Sequence, residues 1–132
     1  MSGSGLPFCF LGRNNLTLSF FFFLLFQDVV RGDIERAIVF NYMFEPEWLL
    51  RECPLLRTVQ RLTVLHGEGP AGDDEFRQLG LRNLTIHTPR LPLPYGTHHS
   101  KGMLLFYPAG IRVMITTGNF IARGNISLFN PL

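Results

Sequence analysis

Short runs rich in β-branched and aromatic residues alternate with stretches that carry helix-start chemistry. This alternation narrows the possible folds more than anything else in the chain. Residues 36–43, RAIVFNYM, read as a strand, as do 61–66, RLTVLH, and 84–87, LTIH. Residues 45–53 between the first two read as a helix. Pro46 suits a first helical position, acids crowd the first turn, where the helix dipole favours them, and Pro54 ends it. Trp48, Leu49 and Cys53 form its expected buried stripe. In the 61–66 strand, Leu62, Val64 and His66 share a face. After it, 67–72 read as a loop and 73–79 as a short polar helix capped by Asp73 or Asp74. Residues 27–32 add one helical turn that stops at Gly32. The order strand–helix–strand–helix–strand predicts an α/β fold, a mixed β-sheet flanked by helices, and not a bundle or a β-sandwich.

At 132 residues this is one domain or part of one. With 46% hydrophobic and 17% charged residues, the composition argues against disorder. A net charge of +2 is too mild to argue for nucleic acid by itself, so a binding surface has to be local. Cys9 and Cys53 are far apart and not in a metal spacing, so neither a disulfide framework nor a zinc site follows. His66 and His87 each close a strand without a His-x-x-x-His spacing or a fixed acid partner; no metal and no cofactor is expected. Gly67-x-Gly69 follows a strand but lacks the remaining glycines of a dinucleotide fingerprint.

Residues 1–15 read as a loop from their Gly, Ser, Pro and Asn. Residues 16–26, LTLSFFFFLLF, follow without a charge; the run is too short to span a membrane, which takes about twenty residues. A core strand fits best; a segment outside the native coding sequence and a targeting segment stay open. Exposed, the run is an aggregation hazard. The expected division is a segment of uncertain origin, 1–26, and a remainder, 27–132, that carries the motifs described next. Asn15, Asn83 and Asn125 head Asn-x-Ser/Thr patterns, which matter only on a secretory route.

The chemistry concentrates late in the chain. Residues 101–107, KGMLLFY, and 111–116, IRVMIT, flank Pro108-Ala109-Gly110, which reads as a hairpin. In an extended chain residues i and i+2 share a face, so His99 and Lys101 point together and His98 points away. Leu104 and Phe106 are the expected apolar backing. A turn at 108–110 returns position 119 to the end where 101 sits, with Gly118 allowing the bend that presents Asn119. An imidazole can attack phosphorus, a lysine neutralises non-bridging oxygens, and a side-chain amide donates to the same developing charge. Pro89, Pro92 and Pro94 keep the approach to this stretch extended.

At these residues the chain resembles the tyrosyl-DNA phosphodiesterases, a branch of the phospholipase D superfamily. Gly96-Thr97-His98-His99-Ser100-Lys101, Tyr107-Pro108-x-Gly110-Ile111-Arg112-Val113 and Thr117-Gly118-Asn119 resemble its first catalytic motif. Upstream, Phe40-Asn41-Tyr42-Met43, Trp48-Leu49-Leu50, Cys53-Pro54 and Leu65-His66-Gly67-Glu68-Gly69 follow the family's order, and Pro89-Arg90-Leu91-Pro92 looks most like plant members. The resemblance implies the first half of a phospholipase D-like fold. It also implies a nuclear DNA-repair enzyme that hydrolyses the 3′-phosphotyrosyl bond between DNA and topoisomerase I through a phosphohistidine. In that scheme His99 attacks, Lys101 and Asn119 hold the phosphate, and Tyr95 packs on the bound strand. The implied partners are DNA with 3′-phosphotyrosyl or other 3′ adducts and single-stranded DNA, with no membrane.

The family carries two His-x-Lys motifs and this chain carries one; Ala122-Arg123-Gly124-Asn125 stands where an acid and a tryptophan usually follow. The expectation is a partial first half, inactive or nearly so alone. Two alternatives are a homodimeric phosphodiesterase, in which each copy supplies a motif, and a non-catalytic module that binds single-stranded DNA.

Overall fold

The computed structural model describes the backbone of residues 6–12 and 16–21 and all atoms of residues 26–122. Among the described residues, seven strands form one mixed sheet: β1 Leu6–Gly12, β2 Leu16–Phe21, β3 Arg36–Phe40, β4 Arg61–Leu65, β5 Leu84–His87, β6 Gly102–Tyr107 and β7 Gly110–Ile115. Their order across the sheet is β2-β1-β7-β6-β3-β4-β5. β3, β4 and β5 run parallel, and β6 reverses against β3 to begin the antiparallel half. The helices are α1 Phe26–Val29, α2 Pro46–Glu52 and α3 Pro70–Gln78, with a 3-10 turn at Pro54–Arg57. The mixed α/β sheet flanked by helices is thus observed.

One face of the sheet carries the core. Register puts Ala37 beside Leu62 and Leu105, and Val39 beside Val64 and Met103; all six are buried. Leu49, Leu50 and Cys53 of the α2 region and Phe76 of α3 close over this face. Fully burying one such side chain contributes roughly 1.5–3 kcal/mol, so the six-residue row is the main anchor of the parallel half. Burial, and then the neighbouring Glu52, pushes the Cys53 thiol up to about 12, which makes it a packing residue rather than a nucleophile.

Several expectations are corrected here. The first fifteen residues are not all loop, because Leu6–Gly12 is a strand. Phe8 to Leu11 are strand formers by type, and Pro7 is tolerated because the ladder to β7 begins only at Phe8. The apolar backing of the hairpin is Met103, Leu105 and Met114; Leu104 and Phe106 lie half-buried on the opposite face, where the Arg36 guanidinium sits over the Phe106 ring. In α2 the stripe is Leu49, Leu50 and Cys53, with Trp48 half-buried against Phe26.

Helix α3 begins three residues before the expected start. Gly69, at φ 70°, and Pro70 open it, so neither aspartate is its cap. Asp73 turns inward instead and meets His66 Nε2 at 2.6 Å. The Glu68 N–H donates to His66 Nδ1 at 3.2 Å. That nitrogen accepts, so Nε2 carries the proton and donates to the carboxylate. Both nitrogens of this buried imidazole are therefore used within the protein.

Asn83 is equally occupied: its Nδ2 donates to the Val59 carbonyl at 2.7 Å and the Arg57 carbonyl at 3.4 Å. The amide that a glycan would take is holding the turn ahead of β4. Asn15 and Asn125 lie outside the described residues. Of the apolar run 16–26, residues 16–21 form β2, paired with β1 at the rim of the sheet, and 22–25 lie outside the described residues. No helix among the described residues is long and apolar enough to cross a membrane.

Candidate active site

The candidate site lies where β3 and β4 end and β6 begins. The β6–β7 hairpin forms as expected, with Tyr107 paired to Gly110 across a two-residue loop and Gly102 paired to Ile115. One further bond closes it, from the Thr116 N–H to the Lys101 carbonyl at 3.0 Å. The segment that carries Asn119 therefore starts beside the segment that carries His99 and Lys101.

His99 and Lys101 point together. The Lys101 Nζ donates to His99 Nδ1 at 2.9 Å and to the His99 carbonyl at 2.8 Å. The imidazole is exposed, whereas Lys101 is only 6% exposed. Lys101 is also the single lysine in the chain. Burial lowers its ammonium from the usual lysine range. An ammonium can only donate, so with Lys101 on Nδ1 the neutral ring of His99 carries its proton on Nε2. His98 points to the other side, edge-on to Phe40, with its Nε2 buried and unbonded. Burial first, then Lys101, His66 and His99, holds the His98 imidazole below its usual range, which keeps it neutral at pH 7.

The turn that carries Asn119 is not shaped by glycine freedom, as expected from Gly118. The left-handed glycines among the described residues are Gly32, Gly69 and Gly80. Bonds fasten the turn instead. The Gly118 N–H donates to Thr116 Oγ1 at 3.3 Å, and its carbonyl accepts from Asn41 Nδ2 at 3.3 Å. One residue beyond Asn119, the Phe120 carbonyl accepts the Glu45 N–H at 2.8 Å, and the Phe120 side chain is buried. Asn119 is thus held between two anchored neighbours, half-buried.

Three features of the site were not anticipated as site features. Tyr42 stacks on the His99 ring, with centroids 5.3 Å apart and planes at 26°. Gly67 lies so close behind that a Cβ there would stand 2.5 Å from the Tyr42 ring and 2.9 Å from the His98 carbonyl oxygen. The Gly67 N–H also donates to the Tyr42 carbonyl at 3.0 Å. Finally, Glu68 Oε2 accepts the Phe44 N–H at 3.1 Å, bracing the segment after Tyr42. The signal for all three lay in the blocks Phe40-Asn41-Tyr42-Met43 and Leu65-His66-Gly67-Glu68-Gly69, whose meeting in space depends on parallel pairing of β3 and β4.

Tyr95 is fully exposed and takes a positive φ of 67°. The extended approach ends just before it: the Gly96 N–H donates to the Leu93 carbonyl at 3.2 Å, closing a turn with Pro94 at its second position. This is the pattern of a type II turn, with tyrosine where glycine is favoured. A non-glycine residue there costs roughly 1 kcal/mol. The ring stands in open solvent, four residues before His99.

The tyrosyl-DNA phosphodiesterase family matches residues 22–125. Tyrosyl-DNA phosphodiesterase 1 of Arabidopsis thaliana is 43% identical over 95 residues, covering 72% of this chain and 16% of that protein. Its Drosophila melanogaster namesake is 32% identical over 97 residues, covering 70% of this chain and 16% of that protein. The crystal structure of yeast tyrosyl-DNA phosphodiesterase superposes with a TM-score of 0.55 at 22% identity, covering 74% of this chain and 24% of that one. At that identity the superposition establishes the shared phospholipase D-like fold. The chain spans 16% of the length of the curated relatives it matches. With the family match running through the β3–β4 segments and the His-x-Lys hairpin alike, the chain belongs to the tyrosyl-DNA phosphodiesterase family.

Proposed function

We propose that this chain supplies the nucleophile and the phosphate clamp of a nuclear DNA-repair phosphodiesterase that opens the 3′-phosphotyrosyl bond between DNA and topoisomerase I. The reading is carried by the exposed His99 imidazole held 2.9 Å from the nearly buried Lys101 ammonium. A nitrogen of His99 attacks phosphorus, the bond from phosphorus to the tyrosyl oxygen breaks, and a phosphohistidine forms. Lys101 moves from the ring to the non-bridging oxygens, which frees the Nδ1 lone pair and neutralises developing charge. Asn119 donates its side-chain amide to the same oxygens.

The departing tyrosyl oxygen has an ordinary pKa of about 10 and needs a proton. His99-x-Lys101 is the single His-x-Lys of this sequence, and His99 is itself consumed by attack. This chain alone is therefore a capture half, inactive or nearly so toward the tyrosyl ester. The test is an oligonucleotide whose 3′-phosphate carries p-nitrophenol, a leaving group that departs without a proton. The expected result is a stoichiometric burst of nitrophenolate, without turnover, and an acid-labile DNA adduct on His99 identified by mass spectrometry. The tyrosyl ester reacts roughly 10²–10⁴-fold more slowly, the usual contribution of a general acid. An adduct on another residue, or full turnover of the tyrosyl ester by the monomer, overturns the reading.

Tyr95 is the strand-binding aromatic. Tyr95→Gly relieves the strained turn and removes the stacking surface, two effects that separate cleanly. The thermal midpoint is expected to stay within about 2 °C, since the relief offsets the added flexibility of the unfolded chain. Affinity for a single-stranded oligonucleotide, read by fluorescence anisotropy, is expected to fall roughly tenfold, as one lost base stack contributes about 1–3 kcal/mol.

A further inference from the structure

Asn41 is a fully buried polar side chain that no catalytic step uses. It stands just past the end of β3, and its own N–H donates to the Leu65 carbonyl at 3.0 Å, continuing the pairing with β4. Its Oδ1 accepts the Tyr42 N–H at 2.7 Å, with the Met43 N–H at 3.4 Å on the same oxygen. Its Nδ2 donates to the Gly118 carbonyl at 3.3 Å, 77 residues along the chain. The amide can be oriented in only one way, because the partners on one side are donors and the partner on the other is an acceptor.

The two ends of this amide lead to the two halves of the site. The oxygen fixes the bend that begins with Tyr42, whose ring stacks on His99. The nitrogen holds the Gly118 carbonyl, one residue before Asn119, while the N–H of Glu45, four residues past Asn41, donates to the Phe120 carbonyl, one residue after it. Burial alone would be satisfied by an apolar residue. What Asn41 adds is one rigid planar group joining the stacking platform of the nucleophile to the turn of the phosphate clamp.

We propose that Asn41 is a positioning residue that sets the Asn119 amide and the His99 ring against the same phosphate. The assignment rests on the phosphodiesterase reading above. Asn41→Asp separates its two arms once its carboxyl is ionised: its oxygens still accept from Tyr42 and Met43, but an acceptor now faces the Gly118 carbonyl, so the 118–120 turn loses its tether. Asn41→Ser repeats the test should the aspartate fail to fold; its hydroxyl can close the turn onto the 42–43 amides but is too short to reach Gly118. Asn83→Ala is the matched control. It also removes a side-chain amide that donates to backbone carbonyls, at Val59 and Arg57, away from the site.

The measurement is a titration of the isotope-labelled chain with inorganic phosphate, following the His99 ring and the Asn119 side-chain amide by NMR. In the unsubstituted chain both groups are expected to shift with one affinity. In Asn41→Asp or Asn41→Ser the Asn119 amide stops responding, the His99 ring still responds, and affinity falls roughly tenfold. Asn83→Ala keeps the unsubstituted affinity whatever it does to the thermal midpoint. An Asn119 amide that responds normally in the folded Asn41 variants overturns the assignment and leaves the phosphodiesterase reading standing. A phosphate-silent His99 in the unsubstituted chain overturns both.

Discussion

His99→Ala is expected to abolish covalent capture of the p-nitrophenyl oligonucleotide while leaving the fold intact. The side chain is exposed, and its partners are the Lys101 ammonium and one face of Tyr42. Removing an exposed side chain with so little packing changes stability by roughly 0.5 kcal/mol. Chemistry has no comparable reserve. Loss of the attacking nitrogen leaves Lys101 and Asn119 able to hold a phosphate but nothing to displace its ester. The nitrophenolate burst is expected to drop by a factor on the order of 10⁴ or more, with phosphate binding retained within a few-fold. Because Lys101 is the sole lysine, retention is easily read: phosphate protects it from an amine-reactive reagent in both proteins. A burst that survives in His99→Ala removes this residue from the chemistry.

Gly67→Ala is expected to give a different profile, a loss of both stability and capture. A Cβ at that position meets the Tyr42 ring at 2.5 Å and the His98 carbonyl oxygen at 2.9 Å. The carbonyl is backbone on the strand of chain that leads to His99, so it cannot swing aside, and the ring is the platform on which His99 rests. Overpacking of this kind costs about 1–3 kcal/mol. For a domain of this size that lowers the thermal midpoint by several degrees. Displacement of Tyr42 also unseats the imidazole, so capture by the folded fraction is expected to fall at least tenfold. A Gly67→Ala protein that captures normally once corrected for unfolded material shows that the stacking of Tyr42 on His99 does not matter to the reaction.

These two expectations draw on different kinds of information in the chain. His99 and Lys101 were readable together because their relation is local. An extended backbone places i and i+2 on one face regardless of what surrounds it, and the 2.9 Å contact follows from that. The return of the chain to Thr116 was readable for a similar reason, since a two-residue turn between matched strands fixes the register that ends in the bond from Thr116 to Lys101. Other local readings failed where a local signal had two meanings. Gly69-Pro70 marks a loop and also opens a helix, and the structure takes the second course because Asp73 then reaches His66. Pro94 marks an extended arm and also the corner of a turn; it became the corner, leaving Tyr95 strained and exposed.

What no local rule could supply is the agreement between separate segments. The sequence by itself determined the alternation of strands and helices, the hairpin, and an imidazole set beside a cation. All of these follow from backbone periodicity and turn chemistry over a few residues. Only the tertiary structure decided how the turn that carries Asn119 is fastened, how little room there is at Gly67, and which two segments the Asn41 amide joins. Each depends on parallel pairing of β3 with β4 and antiparallel pairing of β3 with β6, which brings residues 41–45, 66–68, 98–101 and 116–120 to one end of the sheet. Pairing of that range is set by burial of the whole apolar face from Ala37 to Met114, a property of the assembled sheet that no single stretch of the chain contains.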